Sequence, residues 1–118
     1  MKTHKDLEVW KKSIEMVSMI YLVTKSFPKE ELYGITNQIR RAAVSVPSNI
    51  AEGSGRNSPK EFVQFLYIST GSLSELETQI IISRNLGYIN DKQKNDLDTI
   101  FSDLFRMLSG LIRSLKTK

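Results

Sequence analysis

The sequence predicts an all-α fold: an antiparallel up-down-up-down four-helix bundle with a proline-kinked second helix, in one domain over residues 1–118. Three observations predict it. Apolar residues recur in steps of three and four along four segments, the period of an amphipathic helix, and no stretch alternates long enough to suggest a sheet. The breaks between segments are short, which favours antiparallel neighbours. Pro47 stands inside one of the helical patterns, where it removes a backbone hydrogen bond and crowds the preceding turn.

The first helix is expected from Leu7 to Ser26, stopping near Pro28. It carries two apolar stripes. Leu7, Trp10, Ile14, Val17 and Tyr21 form one; Met16, Ile20, Val23 and Phe27 form the other, rotated by roughly a third of a turn. A helix of a small isolated bundle normally has one apolar face. The second stripe is therefore read as a subunit interface, against the alternative of a single wide core face.

The second helix should begin near Glu31 and end near Gly53 or Gly55. Ile35, Ile39, Ala42, Val46, Ile50 and Gly53 line its inner face, with Arg41, Ser45, Ser48 and Glu52 in a row beside it. The third opens at Ser58-Pro59-Lys60-Glu61, an N-cap serine, a proline at the first helical position and a capping-box glutamate. Its seam is Phe62, Leu66, Ser69, Leu73, Leu76, Ile80 and Ser83, with Ile68, Ile82 and Leu86 as a further apolar edge. Gly87 suits the position just past its end. The fourth opens at Asn90 or Asp91. Its stripe is Phe101, Leu104, Leu108, Leu111 and Leu115, supported by Ile100 and Ile112.

Composition excludes some chemistry. The chain has 118 residues, no cysteine and a formal net charge of +4. Disulfides and thiolate catalysis are ruled out. The start lacks the apolar core of a signal peptide. The run from Met16 to Val23 is far short of the about 20 residues that cross a bilayer. A soluble, cytoplasmic protein with no membrane partner is expected. The charge permits an acidic or nucleic-acid partner without requiring one.

A search for catalytic groups returns little. The single histidine, His4, sits near the N-terminus, where a solvated role is commoner than catalysis. Glu75 and Glu77 do not share a helix face, and no Glu-x-x-His motif occurs, so no metal and no cofactor is expected. The loop Gly53-Ser54-Gly55-Arg56 could cradle an anion, but it lacks the spacing of a phosphate-binding loop, and a plain turn is the commoner outcome. Arg41 and Glu75 each flank an apolar stripe and are read as a partly buried structural pair.

Three segments together resemble a known family: LEVWKKSIEMV, SFPKEELYGITNQIRRAAVSVPSNIAEGSGR and FLYISTGSLSELETQIIISRNLGYI. They are similar to the four-helix bundle proteins encoded by intervening sequences inside bacterial 23S ribosomal RNA genes. The resemblance implies a small antiparallel bundle and a ring-shaped homo-pentamer. It extends to the accessory protein of diversity-generating retroelements, which binds nucleic acid and a reverse transcriptase. The resemblance and the mild basic charge make a non-enzymatic oligomer touching RNA or DNA the leading expectation. Contact would run through phosphates, with Arg40, Arg56 and Lys60 as candidate residues. The alternative is a scaffold that docks another protein and has no direct nucleic-acid role. An enzyme is the third reading.

Overall fold

In the computed structural model, which describes residues 3–117, the chain folds as four α-helices, with no strand among the described residues. They are α1 (Glu8–Thr24), α2 (Ile35–Ser54), α3 (Pro59–Asn85) and α4 (Asp91–Lys116). Short 3₁₀ turns occupy His4–Asp6 and Lys29–Glu31. Each helix packs on its sequence neighbours, and α1 also meets α4, so the four close a cycle. The body measures 46 × 24 × 20 Å.

The pairing of α2 with α3 is antiparallel. Ser45 meets Ser72, Val46 meets Ser69, and Gly53 meets Phe62 and Phe65, so numbers fall on one helix as they rise on the other. Along α1 and α2, Arg40 near the start of α2 bonds Thr24 at the end of α1. Between α1 and α4, Lys12 pairs with Asp103 at 3.6 Å, and Arg106 reaches the same carboxylate at 2.9 Å. The hydrogen bond from Arg106 holds Asp103 below its ordinary acidity value, and the charges of Arg106 and Lys12 reinforce it against partial burial.

The ends of the helices follow their local chemistry. Ser58 Oγ accepts from the Glu61 N–H, which caps α3; the return bond from the Glu61 side chain, expected of a full capping box, is absent among the described residues. Asn90 and Gln93 form the reciprocal box instead, at the start of α4. Gly87 adopts φ +81°. There Gly87 N–H donates to Arg84 O and Tyr88 N–H to Ser83 O, the paired bonds that end a helix in a left-handed residue. The second helix begins at Ile35, not Glu31, because Lys29–Glu31 forms its own 3₁₀ turn and Gly34 leaves helical geometry at ψ −121°. Tyr88 OH donates to Glu31 Oε2 at 2.7 Å and ties the α1–α2 connection to the α3–α4 turn.

The core seams of α2 and α3 fall where their periodicity puts them. Ile39, Ala42, Val46, Ile50 and Gly53 are buried, as are all seven residues from Phe62 to Ser83 that make the α3 seam. The helix assignment runs through Pro47, which is buried. Nearby carbonyls take side-chain donors: Ser69 Oγ–H donates to Val46 O at 2.9 Å, and Asn49 Nδ2 to Ser45 O at 2.8 Å.

The two stripes of α1 are inverted relative to expectation. Met16 and Ile20 are fully buried, Phe27 is 7 % exposed, and Val23 packs half-buried against them. The reading of Met16, Ile20, Val23 and Phe27 as a subunit interface is therefore corrected: they belong to the core of this chain. The outer stripe is Trp10, Ile14, Val17 and Tyr21, with Ile14 and Tyr21 each 41 % exposed.

Candidate functional site

The bundle presents open grooves between helices, so the candidate sites lie on its flanks. The first groove lies between α1 and α2. Trp10, Ile14 and Val17 form one wall and Val44, Pro47 and Ala51 the other, enclosing about 310 Å³. His4 covers its end, with its ring 5.1 Å from Trp10 in an edge-on arrangement. The expected solvated histidine is thus a half-buried packing residue.

This groove continues into a second hollow of about 530 Å³, where Tyr21 and Val44 meet Asn37, Arg40, Arg41 and Ser45. Arg40 is anchored there. Its Nε donates to Thr24 Oγ1 at 2.9 Å, and its guanidinium lies 4.7 Å from the Tyr21 ring centroid. The expectation that Arg40 offers a free charge to phosphate is corrected, since the guanidinium bolts α2 to α1.

Across α2 lies a polar groove of about 350 Å³ shared with α3. Arg41 and Glu75 both line it, yet both are exposed and no ion pair joins them. The expected buried structural pair is corrected accordingly. Glu75 Oε2 instead accepts from Gln79 Nε2 on its own helix at 3.2 Å. The floor of the groove is closed by the Ser45–Ser72 hydroxyl contact at 2.9 Å.

Where α2 ends and α3 begins, Arg56 pairs with Glu52 at 2.9 Å and covers the Phe65 ring at 4.9 Å. Gly55 N–H and Arg56 N–H donate to Glu52 O and Gly53 O. The residues 53–56 therefore finish a helix and leave no anion-binding loop. Lys60 is exposed and forms no ion pair among the described residues. It lines a hollow of about 370 Å³ with Gln64, Tyr67 and Lys116. Lys116 Nζ donates to Tyr67 OH at 3.0 Å.

Arg40, Arg56 and Lys60 are not brought to one surface. Sequence reading missed Lys116 and Tyr67, which join Lys60 across the α3–α4 seam. Their only sequence signal is the seven-residue step from Lys60 to Tyr67, about two turns of one helix. No group of three or more His, Cys, Asp or Glu among the described residues could hold a metal ion. No helix among them is long and apolar enough to cross a membrane.

Comparison with known proteins places this geometry. The profile of the 23S rRNA-intervening sequence protein family matches residues 5–110. Among solved structures, the chain is similar to a protein of unknown function from the S23 ribosomal protein family of Bacteroides thetaiotaomicron VPI-5482. The two superpose with a TM-score of 0.80 at 23% identity, covering 89% of this chain and 95% of that one. At that identity the likeness establishes the fold alone. No curated protein matches the chain.

Proposed function

This chain belongs to the 23S rRNA-intervening sequence protein family, and from that premise we propose that it is a non-enzymatic cytoplasmic protein that works by assembling with copies of itself. The observation that carries the reading is the outer stripe of α1. Trp10, Ile14, Val17 and Tyr21 continue onto Val44 of α2, and Ile14, Tyr21 and Val44 are each 40–41% exposed. Contiguous apolar surface of this kind marks a contact site more often than free surface. A closed ring of five is the assembly that the family resemblance implies. The non-enzymatic half rests on the groove linings, where no serine hydroxyl among the described residues is hydrogen-bonded to a histidine or a carboxylate: Ser45 and Ser72 bond each other, and Glu75 bonds Gln79. The test is size in solution. The parent chain should sediment as an oligomer, and Ile14→Glu should sediment as a helical monomer. A parent that stays monomeric at high micromolar concentration would overturn the reading.

A second reading, contact with RNA or DNA, is favoured by one arrangement. Lys60 and Lys116 share a hollow with half-exposed Tyr67, and no carboxylate lines it. Lysines for phosphates beside an aromatic for a base suit a single strand with little sequence preference. Single-stranded RNA binding should weaken steeply with salt. The double variant Lys60→Gln, Lys116→Gln should bind more weakly with a shallower salt slope. Unchanged binding and slope in that variant would remove this surface.

A further inference from the structure

Two outer flanks of the bundle are both apolar but unlike in charge. On the α1–α2 flank, the hollow around Tyr21 and Val44 is lined by Arg40 and Arg41 and by no acidic residue. Arg40 is engaged inside the chain, as described. Arg41 is exposed, with no hydrogen bond or ion pair among the described residues. On the α3 flank, Ile68, Gly71, Glu75 and Ile82 are exposed at spacings of three, four and seven, which set them on one face. From Phe62 to Ser83 this helix contains two glutamates and no lysine or arginine.

Two details mark the α3 flank as built for contact. Gln79 is only 6% exposed, its Nε2 holds the Glu75 carboxylate, and its Oε1 has no partner among the described residues. A buried amide left half-unsatisfied is unfavourable for folding. Its effect here is to hold an exposed carboxylate along its own helix, with no ion pair to the Arg41 that lines the same groove. Gly71 lies mid-helix, where glycine lowers helix propensity. A Cβ built there would meet nothing within 4 Å, so packing inside the chain does not call for glycine. A bare backbone lets another helix approach closely.

We propose that the α1–α2 flank of one copy packs on the α3 flank of the next, with Arg41 of the first pairing with Glu75 of the second. The inference rests on the self-assembly reading and names its interface. A basic apolar face and an acidic apolar face on the same molecule complement each other, so the occupant is a second copy of this chain. Contact between unlike faces is head-to-tail, and it closes into a ring or extends as a filament.

Charge exchange tests it by sedimentation of the whole chain. Arg41→Glu and Glu75→Arg each place like charges at every contact. Either alone should weaken self-association by on the order of 10–100-fold, with helicity unchanged. An equal mixture of the two should recover much of the association, because each contact between unlike variants joins opposite charges, while a ring of five keeps at least one contact between like variants. The double variant should assemble by itself for the same reason. Rescue by mixing cannot come from a pair inside one chain. If a reversal impairs folding, Arg41→Gln and Glu75→Gln replace it; each should weaken association, and mixing them should recover part of it, because the pair forms again wherever a Glu75→Gln copy presents Arg41 to an Arg41→Gln copy that keeps Glu75. A monomeric parent would overturn both this inference and the assembly reading, leaving the flanks to a different protein. A parent that assembles while the single variants assemble equally well would overturn the pairing alone. So would a double charge-reversal variant that stays as dissociated as the single variants.

Discussion

Truncating Ile20 to alanine is expected to destabilise the bundle by about 2–5 kcal/mol, and Met16→Ala by a similar amount. Both side chains are fully buried, so each truncation loses transfer free energy and leaves a cavity. A domain of this size is stable by only about 5–15 kcal/mol, so either change removes a large share. The melting temperature should fall by on the order of 10–20 °C. Ile14→Ala, on the outer stripe, should cost less than about 1 kcal/mol in the dissociated chain, since a 41% exposed side chain loses few contacts. Urea melts of the three variants, at a concentration where the chain is dissociated, decide the matter. Similar losses for Ile14 and Ile20 would contradict the phase of α1 described above.

Adding a methyl group at Gly53 should destabilise the chain by about 1–3 kcal/mol, even though alanine favours helix over glycine by about 1 kcal/mol. The new Cβ would lie 2.7 Å from Phe65 Cβ, 2.9 Å from Phe62 Cδ1 and 3.3 Å from Phe62 O. Phe65 Cβ is bonded to the backbone and cannot swing aside as a side-chain tip could. Relief therefore requires α2 and α3 to move apart along their closest approach. Gly53→Leu should cost more than Gly53→Ala, because the extra carbons enter the same gap. A Gly53→Ala protein as stable as its parent in urea would mean that the two helices separate freely there.

Much of the fold was legible because the signals agreed with one another. The α3 seam repeats in steps of three and four for seven residues, starts after a capping serine and ends before a glycine with positive φ. Periodicity, cap chemistry and backbone geometry all point to one phase. On α1 they do not. Its true inner face is Val9, Ser13, Met16, Ile20 and Thr24. Two of those five are hydroxyl residues, which break the apolar pattern. Each satisfies its hydroxyl on its own helix: Ser13 donates to Trp10 O at 2.7 Å and Thr24 to Ile20 O at 2.8 Å. The outer stripe looks more apolar because it carries Trp10 and Tyr21. Apolarity alone therefore chose the wrong face.

The polar groups were harder to place for a different reason. A charge beside a helix stripe can reach across to a neighbour, bond along its own helix, or remain free. Arg40 does the first through Thr24, and Glu75 the second through Gln79. Arg41 is exposed between them. Spacing within one helix is the same in all three cases. The outcome depends on side-chain reach across the bundle, which sequence periodicity does not encode. Lys60, Tyr67 and Lys116 come together only because the end of α4 returns beside the start of α3.

The inward seam and the outward face of α3 share no residue. Phe62, Leu66, Leu73 and Leu76 look into the bundle, while Ile68, Gly71, Glu75 and Ile82 look away. Substitutions at separated sites add nearly independently, and surface changes away from special features usually alter stability by less than about 0.5 kcal/mol. The outward residues can therefore change with little effect on folding, and a change there acts through whatever packs on that flank. A lineage of such bundles can trade one neighbour for another by drift on its flanks, keeping the same shape throughout.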